Sequence, residues 1–95
     1  MVQYIGAQPE LILELPKSID DFNIIFFETG LTHSPRSFNH SAFISPQLTS
    51  GMYTLNHNLS GNIFFIDFIV PTRTSFKILA CSPNMNINHI YGIKV

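Results

Sequence analysis

Hydrophobic and polar positions alternate along this 95-residue chain in short segments separated by turn residues. The longest apolar run, Asn62 to Pro71, is built almost wholly from β-branched and aromatic residues, and about eight residues suit a strand better than a helix. Alternation puts Ile63, Phe65, Asp67 and Ile69 on one face and Phe64, Ile66, Phe68 and Val70 on the other. Apart from one carboxylate, neither face is polar, which predicts a central strand covered on both sides. Pro71 and Thr72-Arg73-Thr74 stop it, and Asn58-Leu59-Ser60-Gly61 reads as the turn before it.

The remaining segments follow the same logic. Met1 to Gly6 is expected to be an edge strand or the frayed end of a longer polypeptide. Glu10 to Leu15 alternates, with Leu11, Leu13 and Leu15 opposite Glu10, Ile12 and Glu14, as a strand with one wet face does. Ser18 is placed to cap a single helical turn, with Asp21 three residues on. Phe22 to Glu28 is a second nearly continuous apolar run, Leu31 to Ser41 is a long loop by composition, and Ala42-Phe43-Ile44 is a short strand. Three further strands are expected: Gly51 to Asn56, with Met52, Thr54 and Asn56 opposite Tyr53 and Leu55; Ser75 to Cys81, with Phe76, Ile78 and Ala80 on one face; and Asn86 to Val95, with Ile87, His89, Tyr91, Ile93 and Val95 on one face. Six to eight short strands without an amphipathic helix predict one all-β domain, a small antiparallel β-sandwich or jelly roll.

Composition adds a constraint. Hydrophobic residues make up 45% of the chain, nine are Phe, and charged residues are only 12%, against about 25% in typical soluble domains. A small domain has more apolar side chain here than one core can hide, and the usual remedy is association with copies of itself. A net charge of −1 without a Lys/Arg cluster argues against nucleic acid and anionic membrane as partners. No segment has the length of a transmembrane helix, so membrane insertion is not expected. The single Cys81 has no partner for an intrachain disulfide and reads as a buried, inert thiol.

Candidate chemistry is sparse. His33, His40, His57 and His89 include no pair at the spacing that aims two imidazoles at one ion, so no metal is expected. Neither a nucleophile motif nor a phosphate loop is present, and no cofactor or catalytic set is expected. Asp67 interrupts the central strand, and a buried carboxylate needs a partner; Arg36, Arg73, Lys77 and Lys94 are the available cations. Glu10, Glu14, Glu28, Asp20 and Asp21 read as turn or strand-edge residues. Arg36, Phe38, Asn39 and His40 in the long loop, with Tyr53, His57 and Asn58 near the next turn, combine aromatic, amide and cationic groups that suit a sugar ligand.

The closing phrase Ile87-Asn88-His89-Ile90-Tyr91-Gly92-Ile93-Lys94-Val95 resembles the last strand of C-terminal domains in bacteriophage tail fibres, tailspikes and related receptor-binding proteins. Asp21 to Phe27, Phe43-Ile44-Ser45-Pro46 and Ser75 to Leu79 resemble earlier segments of those domains in the same order, and together these cover about two-thirds of the chain. The resemblance implies a non-enzymatic homotrimeric β-sandwich at the distal end of a fibre in the virion. Its implied roles are trimerisation and attachment to host polysaccharide or lipopolysaccharide, with Met1 opening a fragment of a longer protein. Faces of the two apolar strands not needed by the core would form the threefold interface, for which Phe26, Phe64, Ile66, Phe68 and Asp67 are the candidates. A trimerisation clamp for an upstream glycan-binding or glycan-cleaving domain, and a free-standing sugar-binding module, remain as alternatives.

Overall fold

The computed structural model describes residues 2–3 and 8–95, with the backbone alone at residues 2, 3 and 34–37. Eight strands lie among them: β1 (Val2–Gln3), β2 (Ile12–Glu14), β3 (Ile24–Leu31), β4 (Ser34–Ile44), β5 (Met52–Leu59), β6 (Asn62–Thr72), β7 (Ser75–Cys81) and β8 (Met85–Ile93). They form two four-stranded sheets, one ordered β1-β8-β3-β4 and the other β2-β7-β6-β5, with every pairing antiparallel. The expected β-sandwich is therefore the fold. Hairpins β3–β4, β5–β6 and β6–β7 supply the local pairings, while longer connections bring β8 beside β3 and β7 beside β2.

Turn chemistry explains the tight connections. Ser60 (φ 51°) and Gly61 (φ 81°) both adopt the left-handed region between β5 and β6, as a two-residue type I′ connection requires. Between β7 and β8, Pro83 fixes one φ and Asn84 takes φ 67°, while the Met85 amide donates to Ser82 O over 3.4 Å, a type II arrangement. Ser18 caps a 3-10 turn at Ile19–Asp21, its hydroxyl accepting from the Asp20 amide at 3.1 Å.

One core fills the space between the sheets. Ile25, Phe27, Leu31, Ile87 and Ile90 of the first sheet meet Leu13, Leu55, Ile66, Phe68, Phe76 and Ile78 of the second, all buried. Phe27 is its hub, with ring centroids 5.1 Å from Phe68 and 5.2 Å from Phe76. The surface of 5348 Å² is close to the roughly 5,500 Å² expected for one chain of this size. Part of the apolar excess lies at that surface, where Phe38, Ile44, Met52 and Ile63 are each more than half exposed.

Three expectations need correction. Leu31 to Ser41 is not a loop: Thr32 and His33 alone join β3 to β4, an eleven-residue strand. Its polar composition reflects its position at the edge of the first sheet, with one face in solvent. Second, a bulge leaves Asp67 opposite Ala80 and Phe68 opposite Ile78, so Leu79 is the extra residue and Ala80 leaves the face it was expected to share with Phe76 and Ile78. Third, β8 does not carry one continuous apolar face. Glu28 lies opposite His89 and Thr29 opposite Ile87; the extra residue Asn88 turns His89, Tyr91 and Ile93 to the outer face while Met85, Ile87 and Ile90 are buried.

Candidate functional site

The outer face of the first sheet carries a row of ionisable side chains in register. On β3, Glu28 lies opposite His40 of β4 on one side and His89 of β8 on the other. His40 Nε2 is 3.3 Å from Glu28 Oε2, and His89 Nδ1 is 3.3 Å from Oε1. An ionised carboxylate only accepts, so each of those nitrogens carries a proton and donates.

Burial raises the affinity of Glu28 for a proton, but hydrogen bonds from His89, His40 and Asn88 outweigh it and hold its carboxyl below the ordinary glutamate value. Its side chain is 17% exposed, against 55% for His40 and 35% for His89. The His89 ring stacks on Tyr91, with centroids 5.3 Å apart and planes at 27°.

Apolar groups flank the row. On one side Phe38, 57% exposed, lies opposite Gly30. A Cβ at Gly30 would stand 2.7 Å from Asn88 Nδ2, so the missing side chain leaves room for the amide that reaches Glu28. On the other side Phe26 lies between Ala42 and Tyr91, and Ile24 between Ile44 and Ile93.

The outer face of the second sheet exposes apolar side chains as well, as the first does at Phe38, Ile44 and Ile93, 57%, 54% and 41% exposed. Ile63, Met52, Ile12 and Phe65 are 69%, 61%, 52% and 38% exposed, and half-buried Ile69 lies between Met52 and Lys77. Asp67 sits among them, accepting from the Thr54 hydroxyl at 2.6 Å. Among the described residues Asp67 meets no cation. Lys77 pairs with Glu10 at 3.0 Å, and Arg73 clamps Asp20 through Nε and Nη2 while donating to the carbonyls of Leu48 and Ser45. A half-exposed carboxylate on an outer face can be satisfied by one hydroxyl and water.

The sugar candidates do not converge. Phe38 and His40 share the outer face of the first sheet; the Arg36 side chain lies outside the described residues. Asn39 is half-buried, and its amide donates to Asn56 O, tying the edge strands β4 and β5 together. Tyr53 is turned inward, its hydroxyl donating to Gln47 O and accepting from the Thr49 amide at 2.7 Å, its ring 5.5 Å from Phe68. His57 is buried, with Nδ1 3.4 Å from Thr29 Oγ1, and burial pushes its pKa down. Both lie on the inward positions of β5, so neither offers a ligand contact. Asn58 is exposed on the opposite outer face of the molecule.

The interface candidates divide in the same way. Ile66 and Phe68 are 0% and 1% exposed in the single chain and belong to its own core, with Phe64 beside them against His33. Alternation defines two faces without saying which turns inward, and here the face with Asp67 is the outer one. Phe26 is half-buried on the outer face of the first sheet. Glu28, His89 and Tyr91 were not expected at a site, because the bulge that aligns them is invisible in the pattern.

Other features offer less. An open depression of about 530 Å³ lies beside Lys17, Phe22, Thr74 and Lys94. Burial raises the Cys81 pKa, which disfavours the nucleophilic thiolate. Among the described residues no three His, Cys, Asp or Glu side chains are placed to hold a metal ion, and no helix is long and apolar enough to cross a membrane. Set against known proteins, the chain matches no family model, no curated protein and no solved structure.

Proposed function

We propose that this domain is a non-enzymatic distal module of a phage tail fibre or spike, self-associating as a homotrimer and serving attachment to the host surface. The observation that carries the reading is the outer face of the second sheet, where Ile12, Met52, Ile63 and Phe65 stay open in a single chain. Exposed apolar side chains grouped on one sheet face mark an association surface. A second copy of the same chain supplies the same side chains, as a symmetric assembly needs. The resemblance of the closing strand to fibre-tip domains points the same way.

The clamp reading has one feature in its favour: the connection expected to carry a binding tip, Leu31 to Ser41, is mostly strand. Charging the face separates assembly from folding. Ile63→Lys and Phe65→Glu are expected to reduce a trimer to monomers with an unchanged circular dichroism spectrum. Variants that keep the wild-type solution mass would remove this face from the interface.

A further inference from the structure

The outer face of the second sheet carries a charge among its apolar side chains. Asp67 lies on β6 between Phe65 and Ile69 of the same face, with Thr54 opposite it on β5 and Ala80 opposite it on β7. It is half-buried in a single chain, and the Thr54 hydroxyl donates to its Oδ1 at 2.6 Å. The other charged groups of this face are Lys77, opposite Ile69 and held by Glu10 at 3.0 Å, and Glu14, two residues beyond Ile12 on β2. Three carboxylates therefore stand against one ammonium. His57, the imidazole on β5, is buried on the inward side, so among the described residues only the carboxylates of this face titrate between about pH 4 and pH 8.

We propose that self-association through this face is proton-linked, with Asp67 taking up the proton. The inference rests on the assembly proposed above and names its regulation. Covering Phe65, Ile69 and Met52 with a second copy takes Asp67 out of water along with them, and a carboxylate out of water needs a cation, donors or a proton. A second copy joining through the same face brings the same side chains, and its ammonium at this face is already engaged by Glu10. Carboxylates brought together in that setting do not all stay ionised. The assembled face therefore binds protons more tightly than the open one, so the association constant rises as pH falls and declines as pH rises. The Thr54 hydroxyl serves either form, donating to the carboxylate or accepting from the carboxylic acid.

The test is sedimentation velocity on the intact domain, in dilution series from about pH 7.5 to about pH 5.5, with circular dichroism at each pH to follow the fold. The wild-type association constant is expected to rise about tenfold per pH unit for each proton taken up. Asp67→Asn removes the charge and keeps an acceptor for Thr54. It should assemble roughly tenfold more tightly than the wild type at the upper end of the range and lose the slope. Where the assembly resists dilution, exchange of labelled subunits reads the same comparison as a rate. A flat wild-type profile or a slope that survives Asp67→Asn would overturn the proposal. So would weaker assembly of the variant, which would mean that Lys77 of a second copy supplies the missing charge. The two readings fail separately: wild type and variant that both stay monomeric at every pH refute the assembly itself, whereas a trimer equally tight throughout refutes the proton linkage alone.

Discussion

Glu28 and His89 face each other across β3 and β8 at 3.3 Å, immediately before the register between those strands slips. The slip leaves Asn88 without a partner on β3, and its side chain occupies the space that Gly30 leaves open, within reach of Glu28. One inserted residue therefore does two things. It turns His89 and Tyr91 out of the core, and it adds an amide to the carboxylate they surround.

The Glu28 carboxylate should make stability depend on acid. Its folded pKa lies below the ordinary value of 4.5. The stabilisation is therefore complete above that value and is lost as pH falls through the folded one. Urea midpoints measured from about pH 6 down to about pH 3 should drop over this range, and Glu28→Gln should be less stable at neutral pH with a shallower acid drop. An identical acid profile in the variant would show that the imidazoles do not hold this carboxylate.

His57 gives an independent pH signal at a higher range. Burial lowers its pKa below 6.5, so the unfolded chain takes up the proton first and stability falls as pH drops through about 6.5. His57→Gln, neutral throughout, should flatten the dependence between about pH 7 and pH 5. A slope unchanged by the substitution would place its origin elsewhere.

Two phenylalanines of β6 should respond in opposite ways. Phe68→Ala opens the aromatic core and is expected to cost about 3–5 kcal/mol in denaturant unfolding. Phe65→Ser, three residues away but on the outer face, should cost less than about 0.5 kcal/mol in the fold of a single chain. Its effect belongs to solution mass, and a large loss of monomer stability would mean that the outer face is part of the core.

Gly92 has a steric role. A Cβ there would come within 2.4 to 2.6 Å of the Phe22 ring, so Gly92→Ala must push that ring aside. Overpacking of this kind costs about 1–3 kcal/mol, and in a Phe22→Ala background the same change should cost little. Equal losses in both backgrounds would rule out the ring contact as the cause.

The sequence pattern was enough to reach the fold class, and the reason is local. Strict alternation in Leu11 to Leu15 and Met52 to Leu55, with turn residues such as Ser60-Gly61 and Pro83-Asn84, fixes strands and hairpins without knowledge of their partners. The site was less legible for three physical reasons. Polar side chains on an edge strand look like a loop, which concealed β4. A bulge resets alternation without marking the sequence, which hid the alignment of Glu28 with His89 and the outward turn of Ala80. A strand apolar on both faces does not say which face is the core, so Ile66 and Phe68 looked available while Ile63 and Phe65 are the ones exposed.

Assembly through the outer face of the second sheet is the central claim, and the mass of the purified domain across a dilution series tests it most directly. Light scattering is expected to return three times the chain mass, held down to micromolar concentration. A monomer at that concentration, soluble with Ile63, Met52 and Phe65 in water, would contradict it.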